Sequence, residues 1–142
     1  MQKQGIINDD HGRVQKIKVV VKFKHGDIIK GTTLDFFPNK PLFHIETLHG
    51  EVRKVIIEDL KAIFFVKDFE GSKEHTELYD DHITGGGRKI KVRYNDGEEI
   101  IGYTLGYSPE RQGFIVTPAD LDCNNDRIFI VKSATEKINF IM

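Results

Sequence analysis

KIKVVVKFKHGDIIKGTTLDFFPNKPLFHI, residues 16–45, returns in altered form as RKIKVRYNDGEEIIGYTLGYSPERQGFIV, residues 88–116. A constant shift of 71 sets Gly26 on Gly97, Gly31 on Gly102, Thr33 on Thr104 and Leu34 on Leu105. The same shift sets Phe36 on Tyr107, Pro38 on Pro109 and Phe43 on Phe114. Glycine, proline and core-type residues are the ones that a shared backbone demands. Further on, the shift becomes 75, with Ile63 on Ile138 and Phe65 on Phe140. The four extra residues belong to the polar stretch PADLDCNND at 118–126.

Within this stretch Ile17, Val19, Val21 and Phe23 alternate with Lys16, Lys18, Lys22 and Lys24. Period two means a strand with one face buried. His25-Gly26 and Asp96-Gly97 predict hairpin turns, because glycine adopts positive φ without steric cost. Strands are expected at about 27–36, 42–47, 52–57 and 62–66, with one 3₁₀ turn at Glu58–Lys61. Gly31 inside the second of them predicts a sharp bend or bulge, as does Gly102. Strands at 89–94, 98–107, 113–117, 127–132 and 137–141 repeat the order. The chain therefore reads as all-β: an arm at 1–15, a small barrel at 16–67, an acidic, Gly-rich linker at 68–87 and a second small barrel at 88–142. Domains of this size bury proportionally little surface. The two are expected to pack together or share an edge, with Val20 and Phe64 as apolar contacts on outward positions.

The order strand, (H/D)-G, strand with an inner glycine, strand, strand, short turn, strand resembles the five-stranded Sm-like and SH3-like barrels. Asn95-Asp96-Gly97 with Gly102 is similar to the D/N-G-x₄-G signature of the Sm-like group. The resemblance covers most of residues 16–142 and implies two tandem barrels from an internal duplication. It also implies single-stranded RNA as a partner class. Residues 1–15, with Gly5, Asn8, Asp9, Asp10 and Gly12, lack the helix that RNA-binding members place before their first strand. The segment KGTTLDFFPNKP at 30–41 resembles a bacterial domain of unknown function.

Charge narrows the function classes. Lys and Arg total 21 against 22 for Asp and Glu, a net charge of -1. A duplex-DNA binder needs a basic excess to neutralise phosphates, so that role is disfavoured. Cys123 is the only cysteine, which rules out an intrachain disulfide and points to a reducing, cytoplasmic setting. MQKQGIINDDHGR has no apolar signal-peptide core, and no run approaches the roughly 20 apolar residues that span a bilayer. No nucleophile elbow, P-loop, zincin motif or dinucleotide fingerprint occurs. The expectation is a binding module and not an enzyme, with no cofactor.

Three groups of residues stand out. Phe36, Phe37 and Tyr107 lie beside proline turns at matching positions, with Asn39, Lys40 and Arg111 around them. Because strand neighbours alternate faces, one of Phe36 and Phe37 points outward. An exposed ring beside a proline loop suits a peptide or a base. This favours a protein-interaction adaptor or regulatory subunit, with oligomerisation left open. Lys18, Lys22 and Lys24, with Lys91 and Arg93, form the alternative, a basic face for single-stranded RNA. Exposed strand lysines also serve solubility and block edge pairing. His75, Glu77, Asp80, Asp81 and His82 crowd the linker without metal-ligand spacing, and read as solvated polar residues, so no metal is expected. Gly85-Gly86-Gly87 before Arg88 and Lys89 suits an anion cradle, which leaves a nucleotide-responsive regulator as a weaker alternative.

Overall fold

The computed structural model describes residues 16–67, Phe69, 87–119 and 125–141. The arm, nearly all of the linker with its acidic and histidine residues, and Cys123 lie outside them. Strands β1 (Ile17–Phe23), β2 (Ile28–Thr33), β3 (Leu42–Thr47), β4 (Val52–Ile56) and β5 (Leu60–Val66) form the N-terminal half. Strands β6 (Arg88–Tyr94), β7 (Glu99–Thr104), β8 (Gly113–Pro118), β9 (Asn125–Val131) and β10 (Thr135–Phe140) form the C-terminal half. One 3₁₀ turn, Ile57–Asp59, precedes β5, and another, Lys132–Ala134, precedes β10.

The hairpin turns form where the glycines predict them. Gly26 has φ +107° and its N–H donates to the Phe23 carbonyl at 3.0 Å. Gly97 has φ +94° and donates to Tyr94 at 2.9 Å. The registers of the two hairpins match residue for residue: Ile17 faces Thr33 in β1·β2, and Arg88 faces Thr104 in β6·β7. The second strands are shorter than expected, ending at Thr33 and Thr104. Each pairs the third strand through two residues only, the inner glycine being one of them. A Cβ on Gly31 would collide with the Glu46 carbonyl, and one on Gly102 with that of Thr117. The glycines are there for close backbone approach.

All ten strands belong to one antiparallel sheet, in the order β10-β6-β7-β8-β9-β5-β1-β2-β3-β4. Among the described residues the sheet is not closed: the all-β expectation holds, and the strands of both halves form one continuous sheet. The reason lies in β5, which pairs β1 on one side and β9 of the other half on the other. The halves share this edge, as their small size suggested.

Sharing the edge gives β5 and β9 two buried faces. Ile63 and Phe65 of β5 join Phe129 and Val131 of β9 in the first core cluster, with Val19, Val21, Phe43, Ile45 and Val55. Ala62 of β5 joins Ile128 and Ile130 in the second, with Ile90, Val92, Phe114 and Val116, and Phe64 packs against it. Phe64 thus makes the contact expected of it. Each core contains side chains from the other half.

Candidate functional site

The loop after β2 (34–41) and the loop after β7 (105–112) have the same internal geometry. Lys40 N–H donates to the Phe37 carbonyl at 3.1 Å, and Arg111 N–H to that of Ser108 at 3.2 Å. Lys40 and Arg111 are therefore equivalent cations on equivalent turns. The shared strand edge brings the two loops together. Gln112 Nε2 donates to the carbonyl oxygens of Pro38 at 2.8 Å and Lys40 at 2.7 Å. Lys132 Nζ donates to the Pro109 carbonyl, and Lys132 N–H to that of Gln112 at 2.8 Å.

The sequence-predicted residues divide at this junction. Phe36 turns inward, edge-on to Phe43 at 5.4 Å and Phe129 at 5.1 Å between ring centroids. Tyr107 likewise packs on Phe114 at 5.0 Å and Phe140 at 5.8 Å. Both rings are partly buried, Phe36 against the first core and Tyr107 against the second. Phe37, the neighbour of Phe36 in the loop, is 49% exposed, with Lys40 Nζ 5.6 Å from its ring centroid. Asn39, Lys40 and Arg111 are exposed around it. A cleft of about 220 Å³ opens beside them, lined by Pro38, Tyr103, Leu105, Arg111, Phe114 and Ile115 among others. Leu105, which sequence reasoning passed over, is 81% exposed.

A second cleft, of about 270 Å³, occupies the matching place in the N-terminal half, lined by Lys16, Thr32, Leu34, Asp35, His44 and Glu46 among others. Its lining carries an acid–imidazole pair. Asp35 accepts from the His44 backbone N–H at 2.9 Å and lies 2.7 Å from His44 Nδ1. Partial burial alone would raise the Asp35 pKa, but the His44 and Thr33 hydrogen bonds outweigh it and hold the carboxyl below its ordinary value. Gly106 stands at the matching position in the C-terminal half, so that cleft lacks this carboxylate and has Arg111 in its lining.

The basic residues do not assemble into one surface. Lys18, Lys22 and Lys24 belong to β1 or its end, Lys91 and Arg93 to β6, and four strands separate β1 from β6 in the sheet. Arg93 donates to Glu99 Oε2 through Nε at 2.9 Å and Nη2 at 2.7 Å, and Lys91 lies 3.5 Å from Glu99 Oε1. Lys24 reaches Ser133 Oγ at 2.7 Å and Glu58 at 3.6 Å. Lys22 lies over the Phe64 ring at 5.5 Å, and Lys18 Nζ is 3.4 Å from the Lys67 carbonyl oxygen. Most of this charge is already partnered within the chain.

Among the described residues, no three His, Cys, Asp or Glu side chains come together as a metal site, and no helix is long and apolar enough to cross a membrane. No curated protein and no solved structure matches the chain. One family of unknown function, DUF6982, matches residues 15–142, and the chain belongs to that family.

Proposed function

We propose that this chain is a non-catalytic binding module, an adaptor or regulatory subunit that takes a protein partner at the joined loops 34–41 and 105–112. One observation carries the reading: the exposed Leu105 lines a cleft together with Arg111 and Pro38, and Gln112 ties this loop to the one that exposes Phe37 and Lys40. An apolar anchor entering a preformed pocket, with charges at the rim, is the usual anatomy of a recognition site. The cations favour a partner segment with an apolar side chain flanked by carboxylates. The loop positions Phe36 and Tyr107 support the site from beneath. We also infer that the halves are duplicated copies of a small barrel of the Sm-like or SH3-like kind, a reading supported by their matching registers and glycines.

A second reading, single-stranded RNA, draws on the same residues, since an exposed ring beside two cations also suits a base and its phosphate. Affinity capture from lysate with wild-type chain and with the Phe37→Ala, Arg111→Glu variant tests the first reading. Capture of a defined protein should fall about tenfold or more in the variant, with its thermal midpoint unchanged. Equal capture would remove the loops from the binding surface. A labelled random RNA whose affinity drops steeply between low and moderate salt would move the conclusion to RNA.

A further inference from the structure

Among the described residues the sheet ends in two edge strands, β4 and β10. β4 holds the place in its half that β9 holds in the other. Each pairs the third strand and precedes a 3₁₀ turn, and at the shift of 75 Val52–Ile56 falls on Arg127–Val131. Their outer edges differ. That of β9 receives β5, antiparallel, with Ile63 opposite Phe129 and Phe64 opposite Ile128. Among the described residues β4 pairs only β3. A free edge presents unpaired N–H and C=O groups, a template for one more strand.

The side chains say which strand. Where β9 carries the buried Ile128 and Phe129, β4 carries Arg53 and Lys54, both exposed. Neither side chain has a hydrogen bond or ion pair among the described residues. Val52 beside them is 66% exposed. Carrying the β5·β9 register over by 75 residues in each strand sets β10 of a second copy against β4. Lys137 then falls opposite Val55, Ile138 opposite Lys54 and Asn139 opposite Arg53. A lysine is brought to a basic edge, and an apolar residue to a lysine. A second copy is a poor occupant.

We propose that the β4 edge binds an extended acidic segment of a partner protein by antiparallel strand addition. In the register of β5 on β9, two adjacent carboxylates lie opposite Lys54 and Arg53, and the next residue, apolar, lies opposite Val52. Directly opposite residues share a face, so each carboxylate meets its own cation. The backbone bonds supply affinity and the two charges set register and polarity. This surface is separate from the joined loops and does not depend on them.

The probe is a fluorescein-labelled peptide, Lys-Ala-Glu-Glu-Phe-Val-Lys, titrated against the full chain by anisotropy and by amide NMR. Saturable binding is expected, with amide shifts centred on Val52–Ile56. Arg53→Glu with Lys54→Glu should weaken it about tenfold or more. Arg53→Lys with Lys54→Arg should retain it. Both pairs are exposed, and an unchanged thermal midpoint verifies the fold. A peptide with Lys-Lys in place of Glu-Glu should fail to bind. Equal binding of the Lys-Lys peptide, or shifts centred on the loops 34–41 and 105–112, would overturn the proposal. So would sedimentation showing that the wild-type chain self-associates and that Lys54→Glu abolishes it, because a second copy would then be the occupant.

Discussion

Lys61 lies on β5 between Leu60 and Ala62, both fully buried, and its side chain is 11% exposed. Its ammonium crosses to the other half, where Asp96 accepts a hydrogen bond at 2.7 Å and Glu98 a second. The Tyr94 ring lies 4.6 Å from it. Burial alone would lower the Lys61 pKa, but the two carboxylates outweigh it and the net shift is upward. The Lys61 hydrogen bond, then that from the Glu98 backbone, holds Asp96 below the usual carboxylate range. Tyr94 moves upward through burial, then through the charges of Glu98 and Asp96. Removal of the partners should therefore be asymmetric. In Lys61→Met both carboxylates, more than half exposed, simply hydrate, and the expected cost is under about 1 kcal/mol. Asp96→Ala with Glu98→Ala strands a buried cation and should cost about 2–4 kcal/mol in urea denaturation at neutral pH. The pH dependence follows. The Asp96 contribution is full above about pH 4 and fades as pH falls through its lowered pKa. The Lys61 contribution is full below about pH 10 and fades as pH rises through its raised pKa. Lys61→Met should flatten both limbs of a midpoint-against-pH curve. At this scale the sequence was legible for glycines and for Phe37. It was silent on Lys61, because the carboxylates that hold it are 35 and 37 residues away.

At the scale of the element, β5 and β9 carry the fold. Their sequences announce it: Ala62–Val66 reads AIFFV and Ile128–Val131 reads IFIV, apolar at every position. Strict alternation means one buried face, whereas a continuous apolar run means two. β4, VRKVI, and β10, TEKINF, hold the corresponding places and are polar at intervals. The runs were read as ordinary fifth and fourth strands because nothing local says which half lies on the second face. Phe129 shows the consequence: it belongs to the C-terminal half yet packs in the first core against Phe36, Phe43's neighbour. Phe129→Ala should cost about 3–5 kcal/mol. Hydrogen exchange should show protection lost in β1 and β3 as well as in β8 and β9, in one cooperative unit. Loss confined to the C-terminal half would mean that the cores are independent.

At the scale of the molecule, the β5·β9 contact is heterologous, one edge type against another, and such contacts propagate unless something stops them. Arg53 and Lys54 on β4, and Lys137 and Asn139 on β10, replace the Ile128, Phe129, Ala62 and Phe64 of the inner seam. Charged edge residues are a known device against edge-to-edge pairing. The chain should run as a monomer in light scattering at all practical concentrations. The variant Arg53→Ile, Lys54→Phe, Lys137→Ala, Asn139→Phe, which restores the seam residues to both edges, should associate with rising concentration. If it stays monomeric, the outer residues are not what ends the array.

Sequence alone determined the all-β class, nearly every strand, both hairpin turns and the repetition at 71 and 75 residues, because periodicity and glycine requirements act over a few residues. It also set one ring of Phe36 and Phe37 outward beside a proline turn, with Asn39, Lys40 and Arg111 around it. The tertiary structure decided which strands meet. That choice joined the two loops, packed Phe36 and Tyr107 against the cores, exposed Leu105 beside a cleft and left β4 with one partner strand among the described residues. Edge pairing between residues more than 60 apart rests on shape and burial across the whole sheet, and no local pattern encodes it.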